Sequence, residues 1–169
     1  IPIEYVKPME LQILNNSNDS HSLKEKIAII GTGNYGIALG RCLMKCGFEI
    51  IYCSRDPNPT YLAQCFNEKE YEDLKNYSVT TIDDALLKSD EIVFLAVSAT
   101  ESVYESLVSE TKKLKKTKPL ILVEISNQLE SIKSNMSNAE RLDKLVKENL
   151  TGARISIVKG FNLLSAYTI

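Results

Sequence analysis

The chain has 169 residues, 44% hydrophobic and 25% charged, with a formal net charge of −2. This predicts one soluble globular domain long enough to bury a real core. The near balance of charge gives no reason to expect nucleic acid as a partner. Apolar runs such as Ile92 to Val97 fall far short of the ~20 residues that span a bilayer.

Residues 1–22 read as a polar leader, with Asn15-Asn-Ser-Asn-Asp-Ser20 at its centre, expected to be mobile or draped over the surface. It carries no secretory signal, and a start without methionine is expected of a trimmed chain. Residues 23–169 are expected to be the folded domain. There the strand Lys26-Ile-Ala-Ile-Ile30 runs into Gly31-Thr32-Gly33-Asn34-Tyr35-Gly36. A helix from Ile37 to Cys46 and a second strand from Phe48 to Cys53 follow. Strand, glycine turn, helix and strand within about 30 residues make the dinucleotide-binding βαβ unit. Gly31 permits the tight turn, Gly33 opens the backbone to a pyrophosphate, and Gly36 lets helix and strand approach. The helix N-terminus offers its partial positive charge to the phosphates.

The end of the second strand selects the nucleotide. NAD-selective proteins usually carry an acidic residue there for the ribose hydroxyls. This chain has Ser54 and Arg55, donors that suit the 2′-phosphate of NADP. Asp56, next in line, could still reach a ribose hydroxyl if the turn bends differently.

Beyond Pro59, Tyr61 to Leu74 reads as a helix with an apolar stripe of Leu62, Phe66 and Leu74. Val79-Thr80 is a short strand, and Thr81-Ile-Asp83-Asp84 caps a helix through Lys88. Glu91 to Val97 is a fourth strand, and a helix starts around Ser98 to Glu101. The basic run from Lys112 to Lys118 reads as the solvated end of a helix. Leu120 to Ile125 is a fifth strand. Ser137-Asn-Ala-Glu140 is a capping box opening a helix to about Asn149, and Arg154 to Lys159 is a sixth strand. Cys42, Cys46, Cys53 and Cys65 form no C-x-x-C pair, and the only histidine, His21, sits in the leader. Small buried hydrophobes in a reducing compartment account for the cysteines better than a redox pair or a metal site. No metal-ligating set is expected.

Strands alternating with helices predict an α/β fold, a Rossmann-type doubly wound parallel sheet. Ligands bind such sheets beyond the carboxyl ends of the strands. Those ends carry Gly31 to Gly36, then Ser54 and Arg55, then Ala96, Val97 and Ser98, then Ser126 and Asn127, then Lys159, Phe161 and Asn162. The last three groups suit a nicotinamide ribose and carboxamide, with Phe161 as an apolar wall.

With those strand ends aligned, the chain resembles the cytosolic oxidoreductase domain of the STEAP metalloreductases (six-transmembrane epithelial antigen of prostate), itself related to archaeal deazaflavin-linked NADP reductases. The resemblance is carried by Ile30 to Gly36, Cys46-Gly47-Phe48, Ser54-Arg55-Asp56-Pro57, Leu122-Val-Glu-Ile-Ser126-Asn127, Ser137-Asn138-Ala139-Glu140, Ile157 to Asn162 and Ser165-Ala166-Tyr167. It implies that NADPH reduces FAD, which passes electrons to a haem in a six-helix membrane domain and then to ferric or cupric ions. Hydride transfer between stacked rings depends on positioning and needs no side-chain acid or base. The resemblance gives Gly31, Thr32, Asn34, Tyr35 and Gly36 the phosphates and Ser54 and Arg55 the 2′-phosphate. It lines the nicotinamide end with Ala96, Ser98, Ser126, Asn127, Lys159, Phe161 and Asn162.

It further implies partners in a flavin and the membrane haem domain, and a place on the cytosolic face of a membrane, plasma or endosomal, when joined to that domain. A homo-oligomer stays open. The chain departs from the family where Ser98 to Tyr104 replaces a His-x-x-His-Tyr segment, and where Ser134-Asn-Met136 replaces a proline-glutamate pair. Family domains also continue for a further strand-helix-strand section beyond the position of Ile169. A chain cut short or a truncated relative is expected from this. A non-catalytic NADP(H)-binding regulatory or redox-sensing module is the alternative reading.

Overall fold

The computed structural model describes residues 24–55, 62, 64, 76–98, 100–113, 119–126 and 136–161. The elements, in chain order, are β1 (Lys26–Ile30), α1 (Asn34–Lys45), β2 (Glu49–Cys53), β3 (Tyr77–Thr80), α2 (Ile82–Lys88), β4 (Ile92–Leu95), α3 (Glu101–Lys113), β5 (Leu120–Glu124), α4 (Asn138–Asn149) and β6 (Ile155–Lys159). The six strands form one parallel sheet in the order β3-β2-β1-β4-β5-β6. This is the Rossmann arrangement. The order reverses between β1 and β4, so their carboxyl ends splay into a crevice.

The sheet is covered on both faces, as the side-chain alternation along β1 requires. Ile27 and Ile29 pack towards α1, with Ile37, Leu39, Met44, Ile50, Tyr52 and Phe94. Ala28 and Ile30 face the other way, onto Ala85 and Leu86 of α2, Tyr104, Leu107 and Val108 of α3, and Leu142 and Val146 of α4. Leu62, from the segment read as a helix with an apolar stripe, is helical and buried on the α1 face. Phe66 and Leu74 lie outside the described residues, as do the leader, Asp56 and Cys65.

The element bounds shift from the sequence reading in physically informative ways. Helix α1 starts at Asn34 rather than Ile37, because Gly33 is already its N-cap and the motif's last residues form the first turn. Strand β4 stops at Leu95 rather than Val97. Ala96 still donates its N–H to the Ile30 carbonyl at 2.8 Å, but there the chain turns away at the crevice. Thr81 takes the N-cap position of α2 without capping it. Its hydroxyl bonds to the Asp83 carboxylate instead. The capping box of α4 forms as the sequence predicts, with Ser137 Oγ accepting from the Glu140 N–H and Glu140 accepting from the Ser137 N–H.

Candidate functional site: a dinucleotide crevice at the strand ends

The glycine turn is built around a backbone that other residues could not adopt. Gly31 has φ of +119°, and a Cβ there would lie 2.2 Å from the Ala96 carbonyl oxygen. Its N–H donates to the Cys53 carbonyl at 3.0 Å, which hangs the turn between the ends of β1, β2 and β4. Gly36 closes the turn from the helix side, since a Cβ there would lie 2.3 Å from the Gly31 carbonyl oxygen. Gly33 differs from both. Nothing lies within 4 Å of where its Cβ would be, and Gly33 and Asn34 are exposed. The first N–H donor inside α1 is Ile37, bonded to the Gly33 carbonyl at 3.0 Å. The N–H groups before it have no acceptor further back along the helix. They sit where the helix dipole is positive, a suitable seat for a pyrophosphate.

Ser54 and Arg55 follow directly from β2. Ser54 is half-buried, its N–H donating to the Thr80 carbonyl at 3.2 Å, and Arg55 is exposed. The guanidinium forms no ion pair among the described residues. Cys53 beneath them is a free thiol, pushed up to about 12 by burial and then by the Asp83 charge. It remains a neutral thiol at physiological pH, the behaviour of a small buried hydrophobe.

The opposite half of the crevice is lined by the ends of β4, β5 and β6. Ala96 and Val97 are half-buried and close against Gly31, while Ser98 is exposed. Lys159 does not project freely into the crevice. Its ammonium donates to Glu124 Oε2 at 2.5 Å and to the Ser126 carbonyl oxygen. Glu124 is 1% exposed, and its other oxygen accepts the Ser126 N–H at 2.9 Å and the Ser126 hydroxyl. Asn138 Nδ2 donates to Ser126 Oγ at 3.0 Å. Behind them Tyr104 is buried, and burial, then the Glu124 charge, hold its hydroxyl well above the ordinary value. A buried charge thus has a full set of partners, and Ser126 is fixed by it.

Sequence reasoning missed Glu124, Asn138 and Tyr104. The available signal was a lone acid inside the apolar run Leu120 to Ile125, which a buried strand tolerates only with a partner. Phe161 stands at the mouth, with its ring edge-on to Phe94 at a centroid distance of 5.7 Å. The Tyr35 hydroxyl donates to the Phe161 carbonyl at 3.0 Å, joining the glycine turn to the end of β6. Asn127 and Asn162 lie outside the described residues. The remaining expected residues are brought to one edge of the sheet.

Residues 26–128 match the sequence model of the family described as NADP oxidoreductase, coenzyme F420-dependent. The chain is 30% identical to metalloreductase STEAP2 of Mus musculus over 164 residues, 96% of this chain and 29% of that protein. It is 32% identical to metalloreductase STEAP2 of Homo sapiens over 146 residues, 86% of this chain and 26% of that protein. The chain therefore spans less than a third of the curated relatives it matches. Among solved structures, a candidate F420-dependent NADP-reductase of Arthrobacter sp. FB24 superposes with a TM-score of 0.62 at 20% identity, covering 85% of this chain and 64% of the other. That likeness is one of fold.

Proposed function

The chain belongs to the family of coenzyme F420-dependent NADP oxidoreductases, and on that footing we propose that it is the NADPH-binding oxidoreductase domain of a ferric or cupric metalloreductase. Its work is to seat NADPH and present the nicotinamide to a flavin. The observation that carries this reading is the union of two things in one crevice. One is a glycine turn open at Gly33, and the other is an exposed Arg55 at the end of β2.

NADPH fits the residues present. The open N–H groups of Gly33 to Gly36 would hold the pyrophosphate, and Ser54 and Arg55 the 2′-phosphate. The small residues Ala96 and Ser98, with Phe161, would border the nicotinamide. The Glu124–Lys159 pair gives Ser126 a fixed position at that end. Bound there, NADPH supplies a hydride, and this chain's share of the chemistry is orientation and exclusion of water. FAD as acceptor is implied by the likeness to the metalloreductases. Haem is different, because no histidine lies among the described residues and no group of three or more His, Cys, Asp or Glu among them could hold a metal ion. Haem and the reduced metal would belong to other parts of a longer protein, on the cytosolic face of whose membrane this domain would sit. No helix among the described residues is long and apolar enough to cross a membrane.

Steady-state reduction of a ferric chelate tests the proposal, with FAD present and either NADPH or NADH as donor. Chelate reduction driven by NADPH and requiring added flavin is the expected result. Tight NADPH binding with no consumption would instead identify a non-catalytic NADP(H)-binding module.

A further inference from the structure

Tyr35 and Phe161 are 126 residues apart in the chain, yet their hydrogen bond closes one side of the crevice. Two features of Phe161 are unfavourable in isolation. Its φ of +61° lies in the left-handed region that a residue with a Cβ avoids. The residue is also 43% exposed, whereas Ile30, Cys53, Leu95 and Ile125 at the neighbouring strand ends are buried. Strained backbone and an exposed aromatic ring together are characteristic of ligand clamps. Among the described residues, the Tyr35 hydroxyl on its carbonyl and the Phe94 ring, inclined at 76°, along its edge hold the residue in this state. Burial raises the Tyr35 hydroxyl above its ordinary value, so it stays a proton donor at physiological pH.

We infer that the Tyr35 hydroxyl is a positioning group for the nicotinamide end of bound NADP(H), fixing Phe161 so that its exposed ring is the wall against which the nicotinamide lies. This role presupposes the NADP(H) seat proposed above and assigns the residues that orient its reactive ring. The backbone N–H of Tyr35 serves the phosphates, while its side chain serves the other half of the cofactor. Tyr35→Phe separates the two, because it keeps the N–H and the ring and removes only the bond to Phe161. Phe161→Gly removes the wall while accepting the same φ without strain.

The test uses the whole chain, the two single variants and the double variant. Each is titrated with 2′,5′-ADP, which lacks nicotinamide, and with NADPH, whose emission reports the surroundings of the reduced ring. All four proteins should bind 2′,5′-ADP within about twofold of one another, since the phosphate donors are unchanged. Tyr35→Phe should bind NADPH about three- to tenfold more weakly, the loss of one hydrogen bond, and with less emission enhancement. Phe161→Gly should shift both readouts the same way, and the double variant should be no worse than Phe161→Gly alone. A merely structural tether would move both titrations together. NADPH affinity and emission equal to the parent's in Tyr35→Phe, or independent additive effects in the double variant, would overturn the inference. Failure of the parent chain to bind 2′,5′-ADP would sink the NADP(H) seat and this role with it.

Discussion

Arg55 is the residue on which nucleotide choice would turn in the proposed function. It is exposed at the end of β2, beside a turn whose open N–H groups suit a pyrophosphate. A guanidinium there gains an ion pair and paired charge-assisted bonds from a 2′-phosphate, and at most a single weaker bond from a neutral 2′-hydroxyl. Arg55→Ala should therefore weaken NADPH by about tenfold or more and leave NADH nearly unchanged, in equilibrium titrations of both nucleotides. Equal weakening of the two would mean that Arg55 acts on something other than the 2′ position. At this scale the sequence was highly legible where chemistry and local backbone coincide. Gly31 and Gly36 announce a turn because each is demanded by a close backbone neighbour, Ala96 for the first and Gly31 for the second, while Gly33 stands open. Phe161 was legible as an aromatic at a strand end, but its left-handed backbone was not, since its holding partner Tyr35 is far away in the chain.

Pairings between elements explain what the strand ends can present. Glu124 and Lys159 are register partners on the neighbouring parallel strands β5 and β6, and their side chains meet at 2.5 Å. Lys159→Met would leave Glu124 buried without its cation and, among the described residues, with only Ser126 as donor. The cost should be about 2–3 kcal/mol in urea denaturation, below the range for wholly buried pairs because the lysine side chain is 30% exposed. Replacing both residues, as Glu124→Leu with Lys159→Met, should recover most of that loss. The strand patterns were readable from their apolar runs, but register was not, because period-two alternation does not say which residue of one strand faces which of the next. That is why the hold of Glu124 and Ser126 on the Lys159 ammonium was not foreseen, although Lys159 was expected at this strand end.

Helix α4 offers a second test at the same scale. Ser137→Ala removes its N-cap and should cost about 1 kcal/mol. Glu140, the reciprocal member, is held below its ordinary value of 4.5 by hydrogen bonds from the Ser137 backbone and side chain. Its folded-state value is depressed, so its contribution is present above about pH 4.5 and lost as pH falls through the lower folded value. The stability difference between the parent and Glu140→Gln should accordingly shrink on acidification below that point, measured by denaturation across pH. This capping box was read correctly from four residues because everything it needs is local.

Across the molecule, the parallel order β3-β2-β1-β4-β5-β6 brings widely separated segments to one edge. In the proposed function the pyrophosphate seat comes from residues 31–36, the 2′ selector from residues 54–55, and the opposite wall from residues 96–98, 126 and 159–161. Alternating strands and helices made that architecture readable, since a right-handed βαβ connection leaves few alternatives. Buried side-chain coupling behind the wall was not readable, because it depends on three-dimensional packing among β5, β6, α3 and α4. In the proposed function this domain is an electron donor's seat whose acceptor is a flavin. Anaerobic mixing of the chain with FAD and a slight excess of either NADPH or NADH tests that most directly. NADPH should bleach the flavin absorbance stoichiometrically and much faster than NADH does. Flavin left oxidised beside bound NADPH, or bleaching at equal rates by the two donors, would contradict it.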